Sequence, residues 1–238
     1  NSLNQGDSNI YQSIAEFKQE QSSAIDYITI CSPSHLHCEH IIDCLSICPV
    51  ICEKPFALHS EEIEKIQEAE QRTGNSVFVI RQLRYHPEIL NQTFDSTKNH
   101  EIQIVFQSPR NSDYWLSWKG RSEHSGGILF NIGLHYLDLV QLLFGRLTKF
   151  EVDKHSIDEA KGRFSTTNSN GVFHFHHPTS NELDIEKSFI IDGKKMNLTS
   201  MINLHSLAIQ EIIQGNGLGI EEAKSLIQFL EVATSKKS

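Results

Sequence analysis

Ile25-Asp26-Tyr27-Ile28-Thr29-Ile30-Cys31-Ser32-Pro33-Ser34, followed after a helical interval by Pro49-Val50-Ile51-Cys52-Glu53-Lys54-Pro55, decides the fold. Each half is a short, nearly continuous apolar run, the first stopping at Cys31-Ser32-Pro33-Ser34 and the second at Glu53-Lys54-Pro55. A strand with apolar residues on both faces is covered on both faces, as in a parallel sheet flanked by helices. The interval between them reads as a helix from about 35 to 47. Its residues Cys38, Ile41, Ile42, Leu45 and Cys48 recur at i, i+3, i+4, i+7 and i+10, which is one buried stripe. A second helix is expected over 60–72, with Ser60 as cap, Glu61 and Glu62 in the first turn and Gly74 as the stop. Val77-Phe78-Val79-Ile80 is a third strand, and 10–21 an amphipathic helix ahead of the first. Strand, helix, strand, helix, strand is the pattern of βαβ units and a parallel sheet covered on both faces.

Beyond about residue 82 the texture changes. The segments 101–107, 148–153, 163–167, 172–176 and 187–191 alternate or carry β-branched and aromatic residues, and Asp192-Gly193 between two such runs is a two-residue hairpin signal. A mainly antiparallel open sheet is expected, interrupted by helices over 127–144 and 202–214 and closed by one from about 220 to 234. The fold class is therefore α/β over 1–81, followed by an α+β domain over 82–238.

The 238 residues carry 30 acidic and 21 basic side chains, a formal charge of −9, with no block of like charge. That disfavours nucleic acid or an anionic membrane surface as partner. No unbroken apolar run reaches the roughly 18 residues of a membrane span. Cys31, Cys38, Cys44, Cys48 and Cys52 contain no Cys-x-x-Cys pair, and Cys38 and Cys48 fall on the helix stripe. They read as reduced packing residues of a cytoplasmic protein, with no metal centre. His174, His176 and His177 read as one exposed strand face, and Gly215-Asn216-Gly217-Leu218-Gly219 as a helix cap and turn, because it follows a helix and lacks the dinucleotide-loop spacing.

Three places are candidates for chemistry. Ligands of open parallel sheets bind outside the carboxyl ends of the strands, which here carry Ser32-Pro33-Ser34-His35-Leu36-His37 and Glu53-Lys54-Pro55. Proline at 55 keeps Lys54 extended. Lys54 is either an exposed lysine at a sheet edge or one whose pKa is lowered into the range of proton transfer. The third place is the helix over 127–144, where Asn131, His135 and Asp138 form a polar stripe on an otherwise apolar element. Such groups must find partners in the core or face a ligand. Gly133 inside that helix costs about 1 kcal/mol against alanine, which suggests a close approach to the backbone.

Together these pieces resemble the glucose–fructose oxidoreductase/inositol dehydrogenase (Gfo/Idh/MocA) family. Ser32-Pro33-Ser34-His35-Leu36-His37 looks like the family's T-P-x-x-x-H with serine for threonine, and Glu53-Lys54-Pro55 is its E-K-P motif intact. Gly126-Gly127 with Asn131-Ile132-Gly133-Leu134-His135 is similar to its glycine-led D-x-x-x-H helix, with asparagine for aspartate. Arg81-Gln82-Leu83-Arg84-Tyr85-His86-Pro87, Trp115-Leu116-Ser117-Trp118-Lys119-Gly120 and Gly215 to Ala223 resemble a narrower group, the UDP-N-acetyl-glucosaminuronate 3-dehydrogenases (WlbA/WbpB type) that serve bacterial lipopolysaccharide and O-antigen synthesis. In that group asparagine is an expected occupant of the Asn131 position.

The resemblance implies hydride transfer from C3 of a sugar nucleotide to NAD, with Lys54 and His135 sharing the roles of proton acceptor and polariser in either order and Asn131 orienting the substrate. It implies cofactor contacts from Ser32, Pro33, His37, Glu53, Lys54 and Gln82. Substrate contacts are expected from Arg84, Tyr85, His86, Trp118, Lys119, Asn131 and His135. It makes 1–81 the C-terminal part of a dinucleotide-binding domain, a truncated Rossmann-type parallel sheet, and 82–238 an α+β substrate-binding domain whose open sheet assembles homo-oligomers. It further implies about 60 residues ahead of Asn1 that carry the glycine loop and the acidic strand end separating NAD from NADP, so NADP stays open. Two alternatives remain: a non-catalytic module for assembly or sugar-nucleotide binding, and a family member acting on a free sugar or inositol.

Overall fold

The structure, a computed structural model, describes residues 10–20, 25–178, 185–198 and 200–235. It begins with α1 (Ile14–Glu20), β1 (Ile28–Ile30), α2 (His37–Leu45), β2 (Val50–Cys52), α3 (Ser60–Thr73) and β3 (Val77–Val79). The chain continues through α4 (Pro87–Leu90), β4 (His100–Gln107), α5 (Ser112–Leu116), α6 (Ser122–Ser125) and α7 (Leu134–Phe144). Then come β5 (Lys149–His155), β6 (Glu159–Ser165), β7 (Ser169–His176), β8 (Lys187–Ile191), β9 (Lys194–Met196), α8 (Leu204–Ile213) and α9 (Ile220–Ser235).

The first sheet is parallel with order β1-β2-β3, as the apolar runs require. Val50 and Cys52 join the main core with residues of α2 and α3, such as Ile41, Leu45, Ile63 and Ile66. Ile51 points the other way, into a second cluster with Ile80, Ala208 and Ile212. Each fully buried Ile or Leu contributes about 1.5–3 kcal/mol, so both helical layers are held chiefly by burial. The outer edge of β1 is unpaired among the described residues. Cys44, Cys48 and Cys52 are buried thiols, and burial pushes Cys44 up to about 11. The cap of α3 is not Ser60. His59 precedes the helix, Glu62 accepts from the backbone N–H groups of Leu58 and His59, and Ser60 Oγ donates to Glu231 of α9. Gly74 closes the helix in the left-handed region at φ 74°.

The second sheet has order β5-β6-β7-β4-β8-β9. It is antiparallel at every pair but one: β4 and β7 run parallel. The Asp192-Gly193 turn joins β8 to β9, both residues at positive φ. One face of this sheet packs on α7, where Tyr136 meets Phe106, Phe175 and Phe189 at 5.4, 6.2 and 6.0 Å between ring centroids. The other face presents Glu101, Gln103, Lys161, Arg163, Asn170 and Val172 to solvent.

One expectation needs correction. The helix over 127–144 is not regular: Leu129–Gly133 forms a π turn before α7 begins. A Cβ on Gly133 would stand 3.0 Å from Phe175 Cε2, which is the close approach its glycine signalled. Elements from 82–238 also pack on the first sheet. Ala208 and Ile212 of α8 lie against it, the Val79 N–H donates to Leu218 O at 2.8 Å, and Glu231 of α9 holds α3. Ser122–Phe144 is long and apolar enough to cross a membrane by length and composition, yet 72% of its apolar window is buried inside the protein.

Candidate active site

The ends of β1, β2 and β3 lie side by side, so the segments 31–34, 53–55 and 81–82 form one rim. Against this rim rests the π turn that carries Asn131. Lys54 Nζ donates to the carbonyl oxygen of Asn131 at 2.8 Å, a contact between residues 77 apart in sequence. A cavity of about 190 Å³ opens here, lined by Ser32, His37, Lys54, Trp118, Lys119 and Asn131 among others. Burial holds the Lys54 ammonium down to about 8; Lys119, Arg81 and Arg110 push the same way, and Glu53 opposes them. His135, one turn beyond Asn131, is held well below its ordinary value by burial and then by the charges of Lys54, Arg81 and His205. Lys54 is thus close enough to act on the imidazole, although His135 itself is not among the residues that line this cavity.

What fixes this arrangement is Asp138 on α7. It is 2% exposed and accepts from Arg81 Nη1 at 2.6 Å, Arg84 Nε at 2.8 Å and Arg84 Nη2 at 2.7 Å. A buried carboxylate must be neutralised and hydrogen-bonded, and these two arginines from the end of β3 do both. They thereby bolt α7, and with it His135, to the first sheet. Glu53 is tied from the other side by His205 of α8 at 3.1 Å.

Several expected ligand contacts are used otherwise. Arg84 spends its fork on Asp138, so its charge is not free for a substrate. Tyr85 packs beside Ile51, Ile80, Ala208 and Ile212 under α8. His86 is 4% exposed, and its Nδ1 accepts from the Glu88 N–H as the cap of α4. All three lie in a stretch where arginine and aromatic residues suggested anion and ring binding, and core demands claimed them instead. His37 lines the cavity between the first two strand ends, with Nδ1 2.6 Å from Pro55 O and Nε2 2.7 Å from Ser32 O. Ser32 Oγ lies 2.9 Å from His40 Nδ1. Trp118 and Lys119 remain on the cavity, the ammonium 5.6 Å from the indole centroid.

The sequence reading missed Arg81, Tyr114 and His205. Tyr114 Oη accepts from Asn131 Nδ2 at 2.7 Å, and Arg110 lies over its ring at 4.7 Å. Only Arg81 stood inside a quoted motif; the others gave no signal of spacing.

Residues 4–81 match a family model for the NAD-binding Rossmann fold of an oxidoreductase family, and residues 89–199 match the C-terminal alpha/beta domain of the same family. The chain belongs to the Gfo/Idh/MocA oxidoreductase family. Within that family, it is 24% identical over 143 residues to a D-glucoside 3-dehydrogenase of Escherichia coli, covering 56% of this chain and 40% of that protein. It is 25% identical over 130 residues to a scyllo-inositol 2-dehydrogenase (NADP(+)) of Bacillus subtilis, covering 51% and 36%. The matched region thus spans about two fifths of these relatives. The structure superimposes on the WlbA (WbpB) dehydrogenase from Thermus thermophilus, solved with NAD and UDP-GlcNAcA. The TM-score is 0.81 and the identity 26%, over 92% of this chain and 75% of that one.

The strand ends fit the family's cofactor on their own chemistry. Arg81 Nε and Nη2 and Gln82 Oε1 are buried without a partner among the described residues. They offer donors and an acceptor at the rim where a Rossmann sheet receives its ligand.

Proposed function

We propose that the protein oxidises a secondary hydroxyl of a sugar nucleotide, C3 of UDP-N-acetyl-glucosaminuronate, in bacterial surface polysaccharide synthesis. NAD would be held by Ser32, Pro33, Glu53, Arg81 and Gln82, and supplies the acceptor for the hydride that leaves the carbinol carbon. The observation that carries this reading is Lys54: a lysine at a strand end, tied to the π turn at 2.8 Å and lowered by burial to about 8.

A general base works best when its pKa lies near the working pH. Lys54 meets that condition better than His135, whose basicity burial has reduced further. Lys54 as the free amine takes the hydroxyl proton, and neutral His135 donates a hydrogen bond to the oxygen that becomes a carbonyl. Asn131 orients the ring. Lys119, Arg81 and Arg110, all close enough to act on Lys54, make the site electropositive and suit an anionic ligand. Trp118 offers a face for a sugar ring. The cavity of about 190 Å³ takes the reacting ring, and the nucleotide lies along the surface beyond it. The matching position of action in the Escherichia coli D-glucoside 3-dehydrogenase supports a 3-hydroxyl and keeps a free glucoside as the second reading.

The test is NADH formation by the full-length protein with UDP-N-acetyl-glucosaminuronate, UDP-N-acetylglucosamine, a glucoside and inositol. The first should be oxidised best. Preference for a glucoside or inositol transfers the reading to a free sugar, and no NADH with any of them removes it.

A further inference from the structure

One chain of hydrogen bonds behind the cavity has its direction fixed by a backbone carbonyl. Ser108 and His177 follow the parallel neighbours β4 and β7, and His177 Nδ1 lies 2.8 Å from Ser108 O. A carbonyl oxygen only accepts, so Nδ1 carries the proton. His177 is 3% exposed. Burial lowers its pKa to about 4, Arg110 and His176 act in the same direction, and the Ser108 carbonyl and Asp158 oppose. A neutral imidazole protonated at Nδ1 has a bare Nε2. Tyr114 Oη faces that nitrogen at 3.4 Å. Burial raises the Tyr114 pKa, so the phenol keeps its proton and donates a hydrogen bond to Nε2. Its lone pairs then receive the Asn131 amide, Nδ2 donating at 2.7 Å. With the amide nitrogen committed to Tyr114, the amide oxygen is left for the cavity that Asn131 lines.

We infer that Tyr114 is a positioning residue which, aimed by His177, locks Asn131 with its carbonyl oxygen toward the substrate. The site thereby selects a ligand group that donates a hydrogen bond, a sugar hydroxyl, and rejects one that only accepts. This deepens the sugar-oxidation reading and rests on it for the identity of the ligand. The lock itself is a property of the protein alone. Asparagine at 131 offers either of two faces, and without Tyr114 the amide is free to turn.

Two measurements on the full-length protein test it. Imidazole nitrogen NMR of His177, assigned by its loss in His177→Gln, should show the Nδ1–H tautomer at neutral pH, with the Nε2 resonance moving in Tyr114→Phe. An Nε2–H tautomer overturns the inference: Tyr114 would accept from His177, donate to the Asn131 oxygen and turn the amide nitrogen to the cavity. In kinetics, Tyr114→Phe should raise KM for the sugar nucleotide by roughly tenfold, the scale of one oriented hydrogen bond, with kcat and the affinity for NADH changed far less. His177→Gln keeps an acceptor for the phenol and should stay within about threefold, whereas His177→Leu should follow Tyr114→Phe. An unchanged sugar KM in both Tyr114→Phe and His177→Leu also overturns it. If no sugar is oxidised, the functional reading falls by itself, and the tautomer still decides the lock.

Discussion

The pH dependence of turnover follows from the setting of Lys54. In the direction of sugar oxidation the amine must be free to take the hydroxyl proton, so activity requires the unprotonated form. With its pKa at about 8, about one Lys54 in eleven is unprotonated at pH 7 and about ten in eleven at pH 9, and kcat/KM should climb roughly tenfold between them. The low value comes first from burial at the strand end, then from Lys119, Arg81 and Arg110, while the Glu53 carboxylate holds it up. Removing that carboxylate should move the limb to lower pH, so Glu53→Gln reaches its plateau earlier than the wild type. The assay is the initial rate of NADH formation under limiting sugar nucleotide, which reports the free enzyme. His135, held well below the ordinary imidazole range, adds no limb near neutrality. A profile that falls through pH 8 would instead make Lys54 the charged polariser and His135 the base, and a flat profile would remove Lys54 from the chemistry.

Other consequences are structural. Lys54→Met should abolish turnover yet raise the melting temperature by roughly 2–4 °C, because a lysine with a burial-depressed pKa destabilises the fold whenever it is charged; scanning calorimetry reads this, and a lower melting temperature would contradict the buried setting. Asp138→Asn leaves Arg81 and Arg84 without their counter-charge and should cost about 3–5 kcal/mol in urea unfolding. Gly133→Ala drives a methyl toward Phe175 Cε2 and should cost about 1–3 kcal/mol by the same measurement.

The first sheet was legible because burial on both faces writes itself into consecutive residues such as Val50-Ile51-Cys52; the stop of α3 at Gly74 and the β8–β9 turn at Asp192-Gly193 in the second sheet were legible because they need backbone conformations that few other residues supply. Glu53-Lys54-Pro55 announced the rim for a similar reason: proline limits where the preceding lysine can point. Pairings between distant segments left no such trace. Nothing along β4 or β7 says that they run parallel, since both alternate as an antiparallel strand would. The return of α8 to Ile51 is equally silent, because Leu204, Ala208 and Ile212 mark a buried face without naming its partner. Arg84 and Asp138 illustrate the limit at the site. Arg84 looked like a group seeking a ligand and Asp138 like one needing either a core partner or a ligand; they satisfy one another, which only the three-dimensional packing reveals. Tyr114 shows the converse: an aromatic residue in a short helix, without periodicity to single it out, turns out to hold the amide of Asn131.

The most direct measurement uses UDP-N-acetyl-glucosaminuronate carrying deuterium at C3 and the full-length protein with NAD. The account predicts that the label leaves the sugar and appears in the NADH formed, and that Lys54→Met stops the transfer. NADH that forms without deuterium, or label that stays in the sugar throughout, would contradict it.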